Sequence, residues 1–276
     1  MILKQEKFLD EQPLTSNEVK TLDYKTINVE EKDMIGRITF NRPPYNILNI
    51  DMMKEINHAL KDFQNRNLKV LIVDANGTAF SAGVDVSDHT KEKVNEMIQV
   101  FHDIFTNLLK IKAPTIALVN GAALGGGCEV ATFCDIVIAS EKSKFGQPEI
   151  KVGVLPPVAA AIFPKLIWNK KALELIMTGD TIKADEAKNL GLVNHILPVE
   201  KFETEAEKFI TEKLASNSAV VLQLTKRAFM EGATQNYSDS IKKIEDIYLN
   251  ELMKTDDANE GLAAFLEKRQ PVWKNK

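Results

Sequence analysis

The chain has 276 residues, 44% of them hydrophobic and 27% charged, with a formal net charge of −4. These are values of a water-facing globular protein with room for a sizeable core, and they give nucleic acid no reason to be a bulk partner. No apolar run reaches the length of a membrane span, and the first residues lack a signal-peptide core, so a cytoplasmic protein is the expectation.

Residues 1–24 are polar and aperiodic and read as an extension. Residues 25–29 and 34–40 alternate in hydrophobicity around Lys32-Asp33, which predicts a hairpin. After the break at Asn41-Arg42-Pro43-Pro44, Asp51 is the expected cap of a helix with Met52, Met53, Ile56 and Leu60 on one face. Val70-Leu71-Ile72-Val73 has the composition of a strand buried on both faces.

Residues 91–111 predict a helix with Val94, Met97, Ile98, Phe101, Ile104, Phe105 and Leu108 inward. Residues 114–119 form the next strand, residues 127–134 a helix, and residues 136–139 a third strand. Strands alternating with helices imply parallel pairing. Beyond residue 160 only residues 193–196 read as strand, and the chain from 199 is helical. The division is therefore an extension (1–24), an α/β core (25–198) and a helical region (199–276).

Two loops carry the chemistry. Gly125-Gly126-Gly127 stands where a strand ends and a helix begins, so backbone amides there can meet an oxyanion; tight strand–helix packing is the alternative. The Rossmann pattern fails because Val130 stands where its last glycine belongs, and no P-loop or nucleophile-elbow pattern occurs. Ser81-Ala82-Gly83-Val84-Asp85 follows another buried strand. In a parallel sheet both loops lie at one edge, so the Ala82 and Gly126 amides are the expected oxyanion-hole donors.

Glu129 and Glu149 sit beside glycines among apolar residues, where a carboxylate needs a partner or a task. One carboxylate can activate water while the other exchanges a proton with an α-carbon. The histidines form no cluster with the two cysteines, Cys128 and Cys134, so no metal site is expected and the thiols read as buried. His89 reads as a loop histidine, while His58, His102 and His195 lie apart from it. Lys226-Arg227 fits either ligand phosphates or a solvated helix face.

These motifs, with Asn41-Arg42-Pro43, Cys134-Asp135-Ile136, Gly179 and the run from Glu260 to Arg269, resemble the enoyl-CoA hydratase/isomerase (crotonase) superfamily from about Tyr24 to the end. The resemblance implies an α/β fold of the ClpP/crotonase type, built of repeated ββα units with a C-terminal helical trimerisation region. It implies an acyl-CoA thioester substrate, no cofactor beyond the CoA that the substrate carries, and a homotrimer or homohexamer with no nucleic-acid or membrane partner. It makes Glu129 the group that activates water and Glu149 the α-proton donor, with Ser81, Gly83, Val84, Asp85, Gly125 and Pro157 around the substrate.

Where straight-chain hydratases have a glycine-rich turn, this chain has Pro156-Pro157-Val158-Ala159-Ala160, similar to cyclohexa-1,5-diene-1-carbonyl-CoA hydratases. That likeness raises the expectation of a rigid pocket for a cyclic acyl group. Isomerisation, dehydration in the reverse sense and a non-catalytic acyl-CoA-binding role are the alternatives; a peptidase finds no Ser/His/Asp arrangement. Trp273 and Lys274 lie where relatives sometimes touch a neighbour's CoA.

Overall fold

The computed structural model describes residues 24–217, 219–233, 245 and 247–272. The extension before Tyr24 and the residues Trp273 and Lys274 lie outside them.

The first hairpin pairs β1 (Ile27–Lys32) with β2 (Ile35–Phe40), antiparallel, through Asp33 and Met34, both at positive φ. That is the turn geometry whose twist suits a two-residue hairpin. Helix α1 (Ile50–Phe63) starts two residues earlier than a cap at Asp51 suggests (51 − 49). Asn49 is the cap, its side chain accepting from the Met52 amide at 3.0 Å, and Asp51 sits in the first turn, where the helix dipole favours it.

Three ββα units follow: β3 (Val70–Ala75), β4 (Ala79–Ser81) and α2 (Val94–Leu109); β5 (Thr115–Val119), β6 (Ala122–Leu124) and α3 (Gly126–Phe133); β7 (Ile136–Ser140), β8 (Lys144–Gly146) and α4 (Pro157–Leu166). Each unit gives its first strand to one sheet and its second to another. The larger sheet has the order β1-β2-β3-β5-β7-β10, with β10 at His195–Leu197 and every pair from β2 onward parallel. The smaller runs β4-β6-β8-β9, with β9 at Thr181–Lys183.

The strand pattern explains the layering. On β3, Leu71 and Val73 face the main core, while Val70 and Ile72 face Phe202, Ala206 and Ile210 of α7 (Phe202–Phe209) and the turn that continues it. Both faces are covered, so the run is apolar throughout. All seven inward residues expected of α2 are buried.

The short strands β4, β6, β8 and β9 were not foreseen, nor were α5 (Asn169–Thr178) and α6 (Ala184–Leu190). Three-residue strands are too short to display alternation. Residues 156–160 are corrected from a turn to a helix start: Pro157 is the first residue of α4, where a missing N–H costs nothing.

Helix α8 (Ala219–Ala233) is anchored by Lys226, whose Nζ lies 2.6 Å from Asp135 and 3.0 Å from the Ala113 carbonyl. That residue is therefore spent on the core and has no charge to offer CoA. Part of the helical region expected from residue 199 onward lies outside the described residues. The last helix, α9 (Asp256–Leu266), and Tyr248 pack on the main core, so the helical region shares its interior with the α/β part. Among the described residues no helix is long and apolar enough to cross a membrane.

Candidate active site

The site forms where the smaller sheet ends. Gly125 follows β6, donates its N–H to the Gly146 carbonyl of β8 at 2.9 Å, and turns into α3 at φ 51°. A Cβ there would stand 2.5 Å from Oε1 of Glu149. Glycine at 125 therefore serves both the left-handed turn and the close approach of a carboxylate.

Glu129 is on the first turn of α3 and is 1% exposed. Its Oε1 accepts the Ala159 amide at 2.6 Å, and the Val158 amide also supports it. The N-terminus of α4 thus holds the α3 carboxylate. Burial nevertheless pushes Glu129 up to about 7, the two amides opposing it. Glu149 lies in the single turn Pro148–Val152 after β8, with Oε2 buried and without a hydrogen-bond partner among the described residues. Burial first, and the Glu129 charge second, raise it well above the carboxylate range.

Ala82, Gly83, Val84, Gly125, Gly126, Glu129, Glu149 and Pro157 all line one cavity of about 330 Å³. Ser81 and Asp85 do not. Ser81 is fully buried and its Oγ accepts from the Gly83 amide at 3.1 Å. Asp85 caps the turn Val86–Asp88, accepting from the Ser87 amide at 3.0 Å. Both shape the loop from behind.

The oxyanion assignment needs one correction. The Ala82 N–H donates to the Tyr45 carbonyl at 2.8 Å. The Gly83 amide goes to Ser81, and the Asp85 amide to the Leu48 carbonyl at 2.9 Å. Of these four consecutive amides, only that of Val84 has no partner among the described residues. Val84 also lies against Gly126, where a Cβ would come 2.7 Å from Val84 Cγ2. Gly126 opens α3, so its amide has no intrahelical acceptor. Among the described residues, the amides of Val84 and Gly126 are left unspent at these two loops. Sequence spacing could not separate Ala82 from Val84, because the decision lies with a distant carbonyl at Tyr45.

The rest of the cavity wall is apolar: Met97, Ile98 and Phe101 from α2, Val154 and Leu155 before α4, and Leu262 and Phe265 from α9. Tyr248 joins them at 1% exposure. His89 also reaches the cavity, its Nδ1 within 3.0 Å of the Asp85 carbonyl, and burial lowers its pKa. The other histidines stay outside: His58 is bonded to the Tyr24 hydroxyl at 2.7 Å, His102 is buried 3.6 Å from Glu245 and pushed down to about 4, and His195 lies beside Phe209. Cys128 and Cys134 are buried free thiols, raised by desolvation. Among the described residues no group of three or more His, Cys, Asp or Glu could hold a metal ion.

Such a site can polarise a carbonyl with two amides while two buried carboxyl groups, both raised above the ordinary range, handle water and a carbon-bound proton. Comparison with known proteins gives the family. The family described as enoyl-CoA hydratase/isomerase matches residues 30–276. A probable mitochondrial enoyl-CoA hydratase of Dictyostelium discoideum is 39% identical over 259 residues, covering 91% of each chain. A short-chain-enoyl-CoA hydratase of Clostridium acetobutylicum is 35% identical, covering 90% of this chain and 97% of that one. Among solved structures, an enoyl-CoA hydratase of Mycobacterium avium subsp. paratuberculosis superposes with a TM-score of 0.83 at 26% identity, covering 92% of this chain and 100% of the other.

Proposed function

The chain belongs to the enoyl-CoA hydratase/isomerase family, and from that premise we propose that it adds water across the α,β double bond of an acyl-CoA thioester. The observation that carries the reading is the carboxylate pair. Burial pushes Glu129 up to about 7, where it can exchange a proton near neutrality, and burial first and the Glu129 charge second raise Glu149 well above the carboxylate range, as suits a base beside an acid.

In this reading the thioester oxygen accepts the Val84 and Gly126 amides. Glu129 takes a proton from water as the water oxygen bonds to the β-carbon. The π electrons pass to the thioester oxygen as an enolate. Glu149 then gives its proton to the α-carbon, and the thioester carbonyl reforms. One water is consumed, and a proton moves from Glu129 back to Glu149 to close the cycle. No cofactor is called for beyond the CoA of the substrate.

The apolar cavity suits a short acyl group, and the Clostridium relative named for short-chain substrates favours the same range. The cyclic dienoyl expectation loses most of its premise. Of residues 157–160 only Pro157 lines the cavity, whereas the Val158 and Ala159 amides turn to Glu129. A trimeric or hexameric assembly in the cytoplasm belongs to the proposal. Exposed Trp168, Leu173 and Met177 and, on α8, Val220, Leu224 and Phe229 offer apolar surface for contacts between copies. Light scattering coupled to gel filtration tests it, and a monomer at micromolar concentration refutes it.

Incubation of the protein with crotonyl-CoA tests the reaction. Loss of the conjugated-thioester absorbance with a product heavier by one water supports hydration. A product of unchanged mass with a shifted double bond makes the protein an isomerase, and binding with no turnover makes it a carrier.

A further inference from the structure

Beyond Glu129, Glu149 and the amides, one more hydroxyl-bearing side chain lines the cavity. Tyr248 is 1% exposed, yet it lines the same cavity as both carboxylates. A tyrosine buried this far normally gives its hydroxyl a hydrogen-bond partner. It comes from the C-terminal segment, 99 residues beyond Glu149 (248 − 149), so no local motif announces it.

The other polar side chains on the cavity are committed elsewhere. His89 holds its Nδ1 against the Asp85 carbonyl at 3.0 Å, and Lys151 reaches toward Asp180 at 4.0 Å. Glu129 has Oε1 satisfied by Ala159, whereas Glu149 Oε2 is buried with no hydrogen bond among the described residues. Burial first, and the neighbouring carboxyls second, raise the phenol above its ordinary range, so it stays protonated. Tyr248 is thus a neutral O–H donor in the same cavity as the two carboxyl groups.

We propose that Tyr248 is a further catalytic residue, whose O–H donates to the oxygen that is added at the β-carbon. The inference rests on the hydratase reading. A water molecule offers two hydrogens and two lone pairs. Its hydrogens go to a Glu129 oxygen and to Glu149. One lone pair bonds to the β-carbon, and the other accepts from Tyr248. The phenol keeps its proton throughout; only the water proton passes to Glu129. In the reverse reaction the same donor stabilises the departing hydroxyl.

The test compares the wild type with Tyr248→Phe, which keeps the ring and removes only the oxygen. Two rates are measured on the full-length protein: hydration of crotonyl-CoA, and α-proton exchange of butyryl-CoA in deuterated water. Exchange needs Glu149 and the oxyanion donors but adds no water to carbon. Hydration kcat is expected to fall about ten- to a hundredfold, the scale of one hydrogen bond to a charged or reacting group, with KM within about twofold and exchange unchanged. A variant with wild-type kcat overturns the role of Tyr248. An equal fall in both rates also overturns it, because the damage then lies in the shared frame. A wild type that exchanges the α-proton but does not hydrate refutes the hydratase reading itself, and the water-holding role with it.

Discussion

Replacing Glu129 by glutamine is expected to trade activity for stability, with a sign fixed by pH. The carboxyl is buried, and its proton is held up to about 7 against an ordinary 4.5. Between those values the folded protein keeps a proton that the unfolded chain has released, so stability falls as pH rises through the window and levels off above it. At about 1.4 kcal/mol per pH unit the full effect is about 3 kcal/mol. Glutamine carries no charge, and its carbonyl oxygen can still accept from the Ala159 amide. Urea denaturation at about pH 5 and about pH 8.5 reads the difference. Relative to wild type, the variant should gain up to about 3 kcal/mol at the higher pH while its hydration rate drops about a hundredfold or more. A stability difference that does not change with pH would refute the argument that ionising Glu129 strains the folded state.

Other expectations follow from the same geometry. Gly125→Ala sets a Cβ 2.5 Å from Glu149 Oε1 and strains a residue at φ 51°; the protein should still fold, with kcat lowered at least tenfold, and circular dichroism beside turnover checks both. Val84→Pro deletes the unspent amide and should cost about 3 kcal/mol of transition-state stabilisation; a folded variant with full activity would remove Val84 from the oxyanion site. Crotonyl-CoA should have a higher kcat/KM than cyclohexa-1,5-diene-1-carbonyl-CoA, because the residues expected to wall a ring pocket hold Glu129 instead; the opposite order restores the cyclic substrate.

What could be read in advance depended on how local its cause was. Strand β3 and the inward face of α2 were legible because burial on a regular element leaves a periodic trace over many residues. The ββα repeat came through resemblance, while β4, β6 and β8 left no trace in three residues each. Glu129 and Glu149 stood out because charge among glycines and apolar residues is conspicuous. The partners that tune them did not. The amides of Val158 and Ala159 carry no side-chain signature, and Pro157 suggested a turn where it starts a helix. The choice of Val84 over Ala82 depended on a carbonyl 37 residues upstream of Ala82 (82 − 45). Tyr248 lay in a helical stretch of ordinary composition, and only packing brings it to the carboxylates.

The alternation of strands between two sheets has a further consequence. The Val84 amide follows the second strand of the first repeat, Gly126 and Glu129 follow that of the second, and Glu149 follows that of the third. In the proposed reaction the amides that activate the carbonyl come from the first two repeats, and the proton donor comes from the third. If the proposed roles hold, position 149 can change while the amides that hold the thioester stay intact. One scaffold can then diversify its chemistry one repeat at a time.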